Sequence, residues 1–253
     1  MGNAFAFAAR LLSGLPPPTL DPPTRVEARR AVALLPLVGA LLGLLAACVW
    51  NLAARLWPGE PLVHAALVLA AGAALTAGRP LGGLARAADG LAAHGAGGDR
   101  SRAFAVMRDP RRGTAGMVAL AVFIALQLAF LGALPPALAW GGLILAGALG
   151  RWASAFTLAA YPLASASSGD PEANHGLADA GPNEFLIATV LVIASAAVLP
   201  TRGLLIMLAV GLVVGPAAAA VNRRLGGLSL PLAHALGMVG ELTALACLAL
   251  RVQ

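Results

Sequence analysis

Charged side chains that suit phosphate chemistry are concentrated in one polar stretch of an otherwise apolar chain. The stretch RPLGGLARAADGLAAHGAGGDRSRAFAVMRDPRRGTAG covers residues 79–116 and contains seven arginines and three aspartates. Arginine pairs such as Arg108 with Arg111 or Arg112 suit bidentate contact with phosphate oxygens, and the glycine-rich breaks allow backbone N–H groups to approach an anion. This pattern predicts a phosphorylated substrate. The alternative is that the arginines only set membrane topology and bind lipid head groups.

Two acids within this stretch favour the interpretation that it binds a phosphorylated substrate. Asp89 and Asp109 lie among the arginines, and membrane topology by itself requires basic residues but no acids.

Arg151 lies within the apolar run LAGALGRWASAF. A charge at bilayer depth costs at least a few kcal/mol, so we expect Arg151 either to face a polar cavity or to extend to the membrane surface.

The last apolar run carries another polar group. His234, Gly237 and Glu241 are spaced i, i+3 and i+7 and therefore share one face of a helix. A glutamate within a membrane span predicts a functional site, the alternative being a protonated or arginine-paired structural carboxyl.

The composition that surrounds these residues is that of a membrane protein. Of 253 residues 59% are hydrophobic and 11% are charged, against about 25% charged residues in an ordinary soluble domain. The net charge of +6 comes from arginines in short segments between apolar runs, which indicates membrane topology and argues against nucleic acid as a partner. Cys48 and Cys247 lie in apolar runs and indicate neither disulfides nor a thiolate metal site.

Seven apolar windows approach the length of about 20 residues that a membrane-spanning helix needs. The fifth and sixth meet at LPTRG and could form a hairpin of short helices or a pair that does not fully cross. We therefore predict an all-α, polytopic membrane bundle of six or seven transmembrane helices, in one domain over residues 1–253. The windows lie near residues 31–54, 60–78, 114–134, 137–161, 185–200, 202–221 and 230–250.

Two short surface helices are predicted in the loop at residues 79–112. The first starts at LGGLARAADG and breaks at the run from Gly95 to Gly98. The second covers DRSRAFAVMRDP, with Asp99 as its N-cap and an end at Pro110.

Arginine placement predicts which ends of the spans face the cytoplasm. Arginines precede the first and last spans and fill the loop at residues 79–112, whereas the turns ARLWPGE, GALPPAL and LPTRG carry few or none. The segments expected on the cytoplasmic side are the N-terminus and residues 79–112, 164–184 and 222–229.

Residues 164–184 also hold five side chains that could serve as substitute metal ligands. Their spacing matches no metal motif, and the Gly, Pro, Ser and Asn content of the segment favours a solvated loop. The five are Asp170, Glu172, His175, Asp179 and Glu184.

Several motifs together resemble a known enzyme family. The run GGDRSRAFAVMRDPRRGTAGMVAL, preceded by DGL and followed by LGRWA and RRLGGLS…LGMVGEL, is similar to the adenosylcobinamide-GDP ribazoletransferases, the cobalamin 5′-phosphate synthases of corrinoid assembly. The N-terminal LLSGLPPP and LPLVGALLG fit the same family, so the resemblance covers almost the whole chain. The segment MRD…R.G..G is its most specific part.

The resemblance implies an activity, a cofactor and partners. An integral enzyme of the bacterial cytoplasmic (inner) membrane would join adenosylcobinamide-GDP to α-ribazole or its 5′-phosphate, release GMP and use Mg²⁺. Besides these small molecules and membrane lipid, other corrinoid-assembly enzymes are implied as associates.

The chain departs from the family pattern at acidic positions. The family signature D-G-x-A-D-x-x-D-G places three carboxylates on one helix face, which could hold Mg²⁺ against a diphosphate. Here the segment is GGLARAADG, so Asp89 fills the third position while Gly82 and Arg86 occupy the first two. Near the C-terminus Glu241 matches the family, whereas His234 takes the place of an aspartate.

We therefore predict a transferase site and keep one alternative from another class. Arg86 lies one helical turn from Asp89 and would repel a metal ion, by about 4 kcal/mol at close range for an effective dielectric near 20. The alternative is a degenerate member that binds corrinoid or a biosynthetic partner without turnover; a small-molecule transporter leaves the VMRDPRRG segment unexplained. The predicted residues are Asp89, Asp109 and Glu241 for catalysis, Asp89 and Asp109 for Mg²⁺, and Arg100, Arg108, Arg112 and Arg151 for phosphate.

Overall fold

The computed structural model describes residues 2–13, 24–97, 99–164 and 177–250, and the regular structure in these ranges is helical. Two short 3-10 turns, Pro136–Leu138 and Leu177–Asp179, precede the seventh and eighth helices. The ten α-helices of the described ranges are α1 Gly2–Ser13, α2 Arg25–Leu56, α3 Pro61–Leu75, α4 Arg79–Gly95, α5 Arg100–Arg108, α6 Thr114–Gly132, α7 Ala139–Ala160, α8 Pro182–Ala196, α9 Gly203–Leu225 and α10 Leu230–Ala249.

Five helices of the described ranges are long and apolar enough to cross a bilayer, namely α2, α6, α7 with its preceding turn, α9 and α10. The bent pair of α3 and α4 raises the count to six. The prediction of a membrane helix bundle is confirmed, with five or six candidate spans in the described residues against the predicted six or seven. The difference arises at α3 and α8, which have 15 residues each and so measure about 22 Å, less than the hydrocarbon thickness of about 30 Å.

α7 lies at the centre of the bundle. Of its apolar window 78% is buried, whereas the windows of α6 and α9 are only 22% buried. Large apolar side chains such as Met117 on α6 and Leu205 on α9 are exposed, at 64% and 67%. Such side chains face lipid in a membrane, so α6 and α9 lie at the periphery.

α2 and α7 approach each other closely at glycines. A Cβ on Gly39 would overlap the carbonyl oxygen of Gly147, and a Cβ on Gly147 would overlap the carbonyl oxygen of Gly39. Gly43 lies equally close to the carbonyl oxygen of Leu143. Small residues at such contacts let helix backbones pack directly in a membrane. We call this contact of α2 with α7 the glycine seam.

The chain turns sharply between α3 and α4, whose axes differ by 87°. Ala77 and Gly78 have φ values of 48° and 64°, in the left-handed region that ends a helix. Thr76 closes α3 by donating its hydroxyl to the Gly72 carbonyl oxygen at 2.8 Å. Pro80, at the start of α4, has the fixed φ that suits a first helical turn. α4 thus leaves nearly perpendicular to α3 and packs on α5, α6 and α10.

The two helices predicted in residues 79–112 are present, but α4 is not a surface helix. Asp89 and Gly90 on α4 are buried. A small apolar cluster that includes Met107 of α5 joins α4 and α5 to α9 and α10. The N-cap of α5 is confirmed, because Asp99 accepts the Arg102 N–H at 2.8 Å.

Segments predicted to share one side of the membrane lie at one end of the bundle. The starts of α2, α8 and α10, the ends of α7 and α9, and α5 meet there. The contacts that join them are an ion pair between Arg29 and Glu184, a hydrogen bond from Arg100 to the Arg224 carbonyl oxygen, and a backbone bridge between Leu163 and Leu228.

Candidate functional site

Asp89 on α4 holds the start of α6. Its Oδ2 accepts the Gly113 N–H at 2.8 Å and its Oδ1 accepts the Gly116 N–H at 2.7 Å. The first N–H groups of a helix lack partners within the helix, and a carboxylate there satisfies them and interacts favourably with the helix dipole. A Cβ at either glycine would overlap the carboxylate. Asp89, 7% exposed, therefore holds the turn at residues 109–113, between α5 and α6, against α4. We call this segment the polar turn.

Asp109 lies on that turn, at the end of α5, with its side chain exposed. Its Oδ1 accepts the Arg111 N–H at 2.7 Å, a bond that stabilises the turn itself. The Nη1 of Arg112 donates to the Pro110 carbonyl oxygen at 3.0 Å. The two predicted metal ligands, Asp109 and Asp89, thus have different settings, one exposed on the turn and one buried beneath it.

The carboxylates of the described residues do not form a ready Mg²⁺ site. No group of three or more His, Cys, Asp or Glu side chains in these ranges could hold a metal ion. Both oxygens of Asp89 accept backbone N–H groups, and one oxygen of Asp109 does so too. Mg²⁺ is commonly held by one or two carboxylates together with water and substrate phosphates. Its coordination by Asp89 and Asp109 stays a prediction.

Among the described residues, the acids of the segment at residues 164–184 form no substitute metal site. Glu184 accepts two hydrogen bonds from Arg29, at 2.7 and 3.0 Å, and caps α8 by accepting the Gly181 N–H at 2.9 Å. Asp179 lies 3.8 Å from Arg25. Both acids therefore join α8 and its preceding turn to α2. The other three, Asp170, Glu172 and His175, lie outside the described residues.

Two guanidinium groups lie against Gly82 on α4. The Nη2 of Arg112 would be 3.5 Å from a Cβ on Gly82, and the Nε of Arg86 donates to the Gly82 carbonyl oxygen at 3.3 Å. On the neighbouring Gly83, a Cβ would lie 3.0 Å from the Nδ1 of His234 on α10. The three departures from the family pattern are thus neighbours in space. Two arginines, Arg86 and Arg112, therefore lie beside Gly82, a position at which the resemblance led us to expect a carboxylate.

The other predicted phosphate-binding arginines lie elsewhere. Arg100 donates through Nε to the Arg224 carbonyl oxygen at 3.2 Å, at the C-terminal end of α9. Arg108 donates through Nε to the Phe104 carbonyl oxygen, at 3.2 Å within α5. Both are exposed at the end of the bundle that carries the polar turn. Of the four, Arg112 is the one whose guanidinium lies beside Gly82 of α4 in the described residues.

Arg151 lies inside the bundle and pairs with Glu241. Its Nη1 is 2.5 Å from Glu241 Oε2, and the two side chains are 9% and 23% exposed. The Gln127 Nε2 on α6 lies 3.5 Å from Glu241 Oε1. Gln127 was missed at the sequence level; the signal was a single amide within the apolar run VFIALQLAF. These three residues, from α7, α10 and α6, form what we call the buried polar cluster.

The buried polar cluster lines a cavity of about 90 Å³. Most of the wall is apolar and comes from α2, α3, α6, α7 and α10. Leu42 of α2 and Leu245 of α10 are among its residues. Thr76, Pro80 and Leu81 line it at the bend between α3 and α4. Leu81 is the residue before Gly82 on α4, so one lining residue of the cavity is a sequence neighbour of the glycine against which Arg86 and Arg112 lie. Arg151 thus lies inside the bundle, paired with Glu241 at a largely apolar cavity, and does not extend to the membrane surface.

Comparison with known proteins assigns the chain to a family. The profile of a family described as cobalamin-5-phosphate synthase matches residues 4–251. An adenosylcobinamide-GDP ribazoletransferase of Roseiflexus sp. (strain RS-1) is 34% identical over 251 residues, covering 96% of this chain and 88% of that protein. The enzyme of the same name from Stutzerimonas stutzeri (strain A1501) is 33% identical over 97% of both chains. A third, from Pseudomonas fluorescens (strain SBW25), is 38% identical over 147 residues, covering 58% of this chain and 59% of that protein.

No solved structure matches the chain significantly. The profile spans the segments that contain Asp89, Arg112 and Glu241, and two of the relatives align along nearly the whole of this chain. The chain belongs to the cobalamin-5-phosphate synthase family.

Proposed function

We propose that this protein, as one membrane transferase domain, joins adenosylcobinamide-GDP to α-ribazole or its 5′-phosphate and releases GMP. The products are adenosylcobalamin or its 5′-phosphate. The names of the full-length relatives support the reaction. The observation that carries it here is the placement of Arg86 and Arg112 against Gly82, beside the turn that Asp89 holds.

The reaction is a displacement at a diphosphate. A ribazole hydroxyl oxygen forms a bond to the phosphorus attached to cobinamide, the bond from that phosphorus to the bridging oxygen breaks, and GMP leaves with that oxygen. Negative charge grows on GMP, and fixed cations at that point lower the barrier. Arg86 and Arg112 supply them, and guanidinium groups match phosphate oxygens bidentately.

The acids have distinct roles in this proposal. Asp109, exposed on the turn, accepts the proton of the attacking hydroxyl. Asp89 positions the turn through the N–H groups of Gly113 and Gly116. Glu241 holds Arg151 beside the cavity. Mg²⁺ is proposed as a further requirement, and no step above passes through it.

A second proposal is a member that binds corrinoid without turnover. It is favoured by Gly82, Arg86 and His234, which stand at positions where the family pattern implies carboxylates. It is also favoured by Asp89, whose two oxygens are already occupied by N–H groups.

The membrane setting is proposed from the arginines. We place the chain in the bacterial cytoplasmic membrane, with the end that carries Arg29, Arg100 and Arg112 facing the cytoplasm, where short arginine-rich loops accumulate. Association with other enzymes of corrinoid assembly would occur at that end.

GMP release separates the two proposals. Membranes containing the protein would be supplied with adenosylcobinamide-GDP and α-ribazole, with and without Mg²⁺. The variants are Arg112→Ala, the triple variant Gly82→Asp with Arg86→Asp and His234→Asp, and a control, Arg202→Ala, before α9 at the opposite end of the bundle.

We expect the natural chain to release GMP, with Arg112→Ala at least 100-fold slower and Arg202→Ala unchanged. Loss of one charge that stabilises a transition state commonly costs about 10²–10³ in rate. Turnover by the triple variant alone would establish the non-catalytic alternative. No GMP from either chain would contradict the transferase proposal, and equal rates with and without Mg²⁺ would remove the metal from it.

A further inference from the structure

One side of α9 presents exposed leucines along its length. Leu205, Leu208 and Leu212 are 67%, 60% and 67% exposed, and their spacing of i, i+3 and i+7 places them on one helix face. We call these three leucines the lipid-facing stripe, because large exposed apolar side chains on a membrane span meet hydrocarbon. The buried side chains of α9 lie on the other side of the helix, at Ile206, Val210, Val214 and Ala218.

Arg223 continues the lipid-facing stripe at the C-terminal end of α9. It follows Leu205 by about five turns, at about 3.6 residues per turn, so the two side chains leave the helix in the same direction. Five turns measure about 27 Å, close to the hydrocarbon thickness of about 30 Å. The Arg223 side chain is exposed. When the stripe lies in hydrocarbon, Arg223 therefore lies at the level of the lipid head groups.

Two more arginines lie at this end of α9. Arg224 follows Arg223 in the last turn and is also exposed. Arg100 of α5 donates through Nε to the Arg224 carbonyl oxygen at 3.2 Å, and its Nη1 would be 2.6 Å from a Cβ on Gly226. The Arg100 guanidinium thus lies across the end of α9. We call Arg100, Arg223 and Arg224 the arginine cluster.

No acidic side chain of the described ranges forms an ion pair with the arginine cluster; the ion pairs found there involve other arginines. Asp99, next to Arg100 in the chain, accepts the Arg102 N–H and so caps α5. The C-terminal end of a helix carries a negative charge of about half an elementary charge, which offsets only part of the charge of three arginines. The cluster therefore stays positive and fits an anion.

We propose that the arginine cluster and the lipid-facing stripe together bind an anionic phospholipid, in the leaflet at this end of the bundle. The phosphate oxygens of the head group accept hydrogen bonds from the guanidinium groups, and the acyl chains lie along the leucines. A lipid fits better than a soluble phosphate because the cations continue a face that hydrocarbon covers in a membrane. The site is separate from Arg86 and Arg112.

Native mass spectrometry of the protein in detergent, titrated with palmitoyl-oleoyl phosphatidylglycerol, tests the proposal. The comparison lipid is the phosphatidylcholine with the same chains, which has a phosphate but no net charge. We expect the Kd of the first bound lipid to be at least about fivefold lower for phosphatidylglycerol, since one arginine near the membrane surface contributes about that factor. Equal Kd values for the two lipids would overturn the proposal.

Variants at the end of α9 locate the site. Arg223→Gln combined with Arg224→Gln should raise the Kd for phosphatidylglycerol about tenfold, because two charges are lost. The Kd for phosphatidylcholine should not change, which shows that the variant is folded. Arg223→Lys combined with Arg224→Lys keeps both charges and should stay within about threefold of the natural chain. The matched control is Arg202→Gln, before the other end of α9, with no expected change.

A glutamine double variant that binds phosphatidylglycerol as tightly as the natural chain would overturn the site. An equal rise of Kd in Arg202→Gln would do the same, because the effect would then follow total charge and not the arginine cluster.

Competition on the natural chain distinguishes a lipid from a soluble phosphate ester. Glycerophosphoglycerol is the same head group without acyl chains, and inorganic phosphate carries the charge alone. Neither should displace phosphatidylglycerol at millimolar concentration, because both lack the apolar contact with the lipid-facing stripe. Displacement by either would overturn the lipid proposal in favour of a site for soluble phosphate. These measurements contain no corrinoid, so their outcome is independent of the proposed transferase function.

Discussion

The Gly116 N–H at the start of α6 donates to the Asp89 carboxylate on α4 at 2.7 Å, and this hydrogen bond is buried. The turn between α5 and α6 is therefore tied to α4 by an acid that lies 27 residues earlier in the chain. Arg112, on that turn, reaches Gly82 as a result. The geometry of the proposed phosphate site therefore depends on a carboxylate that binds backbone N–H groups of the turn.

Asp89→Ala should destabilise the fold. Two N–H groups, of Gly113 and Gly116, would lose their acceptor, one of them fully buried, and each unsatisfied group costs about 1–3 kcal/mol. We expect a loss of about 3 kcal/mol in the free energy of unfolding, measured in detergent micelles. The control is Asp109→Ala, exposed on the turn, which removes one hydrogen bond to an exposed N–H and should cost no more than about 1 kcal/mol. Equal effects of the two substitutions would refute a structural role for Asp89.

The ion pair of Arg151 with Glu241 should show strong coupling. Arg151→Met or Glu241→Leu alone leaves a charge buried without its partner and should cost about 3–5 kcal/mol. The double variant removes both charges and should cost less than the two single losses added together. A double-mutant cycle on unfolding free energies measures the difference, and strictly additive losses would show that the pair is not coupled.

Gly147→Ala should weaken the glycine seam. The added Cβ would overlap the Gly39 carbonyl oxygen, which belongs to a backbone and cannot rotate away. Overpacking of this kind costs typically about 1–3 kcal/mol. Gly72→Ala on α3 is the matched control, since a Cβ there meets nothing within 4 Å, and it should be neutral or stabilising by up to about 1 kcal/mol. A destabilisation by Gly72→Ala as large as that by Gly147→Ala would contradict the seam.

The N-cap of α5 should weaken in acid. The Arg102 N–H and then the Ser101 hydroxyl, both donating to Asp99, lower the pKa of that carboxyl. A lowered pKa in the folded protein means that the cap stabilises α5 above the unfolded value of about 3.9. This contribution is lost as the pH falls through the folded pKa. Hydrogen exchange of the Arg102 amide, corrected for intrinsic rates, should accelerate below about pH 4.

The variant Asp99→Asn caps without titrating, because asparagine is also a good N-cap. It should show no such acid-dependent step. An identical pH profile in both proteins would show that Asp99 is not the titrating group.

Sequence patterns predicted the spans and local caps because these depend on nearby residues. The windows near 114–134, 202–221 and 230–250 coincide with α6, α9 and α10, since lipid selects long apolar helices whatever their neighbours. The cap at Asp99 and the helix end at Gly95 likewise depend on a few adjacent residues.

The setting of α4 could not be predicted from its residues. Its arginines and glycines are typical of a surface loop, yet α5, α6 and α10 cover it and bury Asp89. Gln127 was missed for a related reason. Its neighbour Glu241 lies 114 residues away, and a neutral amide in an apolar run carries no charge that would mark it. Both depend on long-range packing, which no local pattern encodes.

The glycine seam has a consequence for how a bulky molecule enters the protein. Where two backbones touch at Gly39 and Gly147, neither helix can shift inward, and separating them would expose carbonyl groups to lipid. α2 and α7 therefore form a fixed wall of the cavity. Thr76 and Pro80 also line the cavity, and they flank the left-handed turn at Ala77 and Gly78 that joins α3 to α4. If a large ring enters this cavity, we expect α3 and α4 to move while α2 and α7 stay in place.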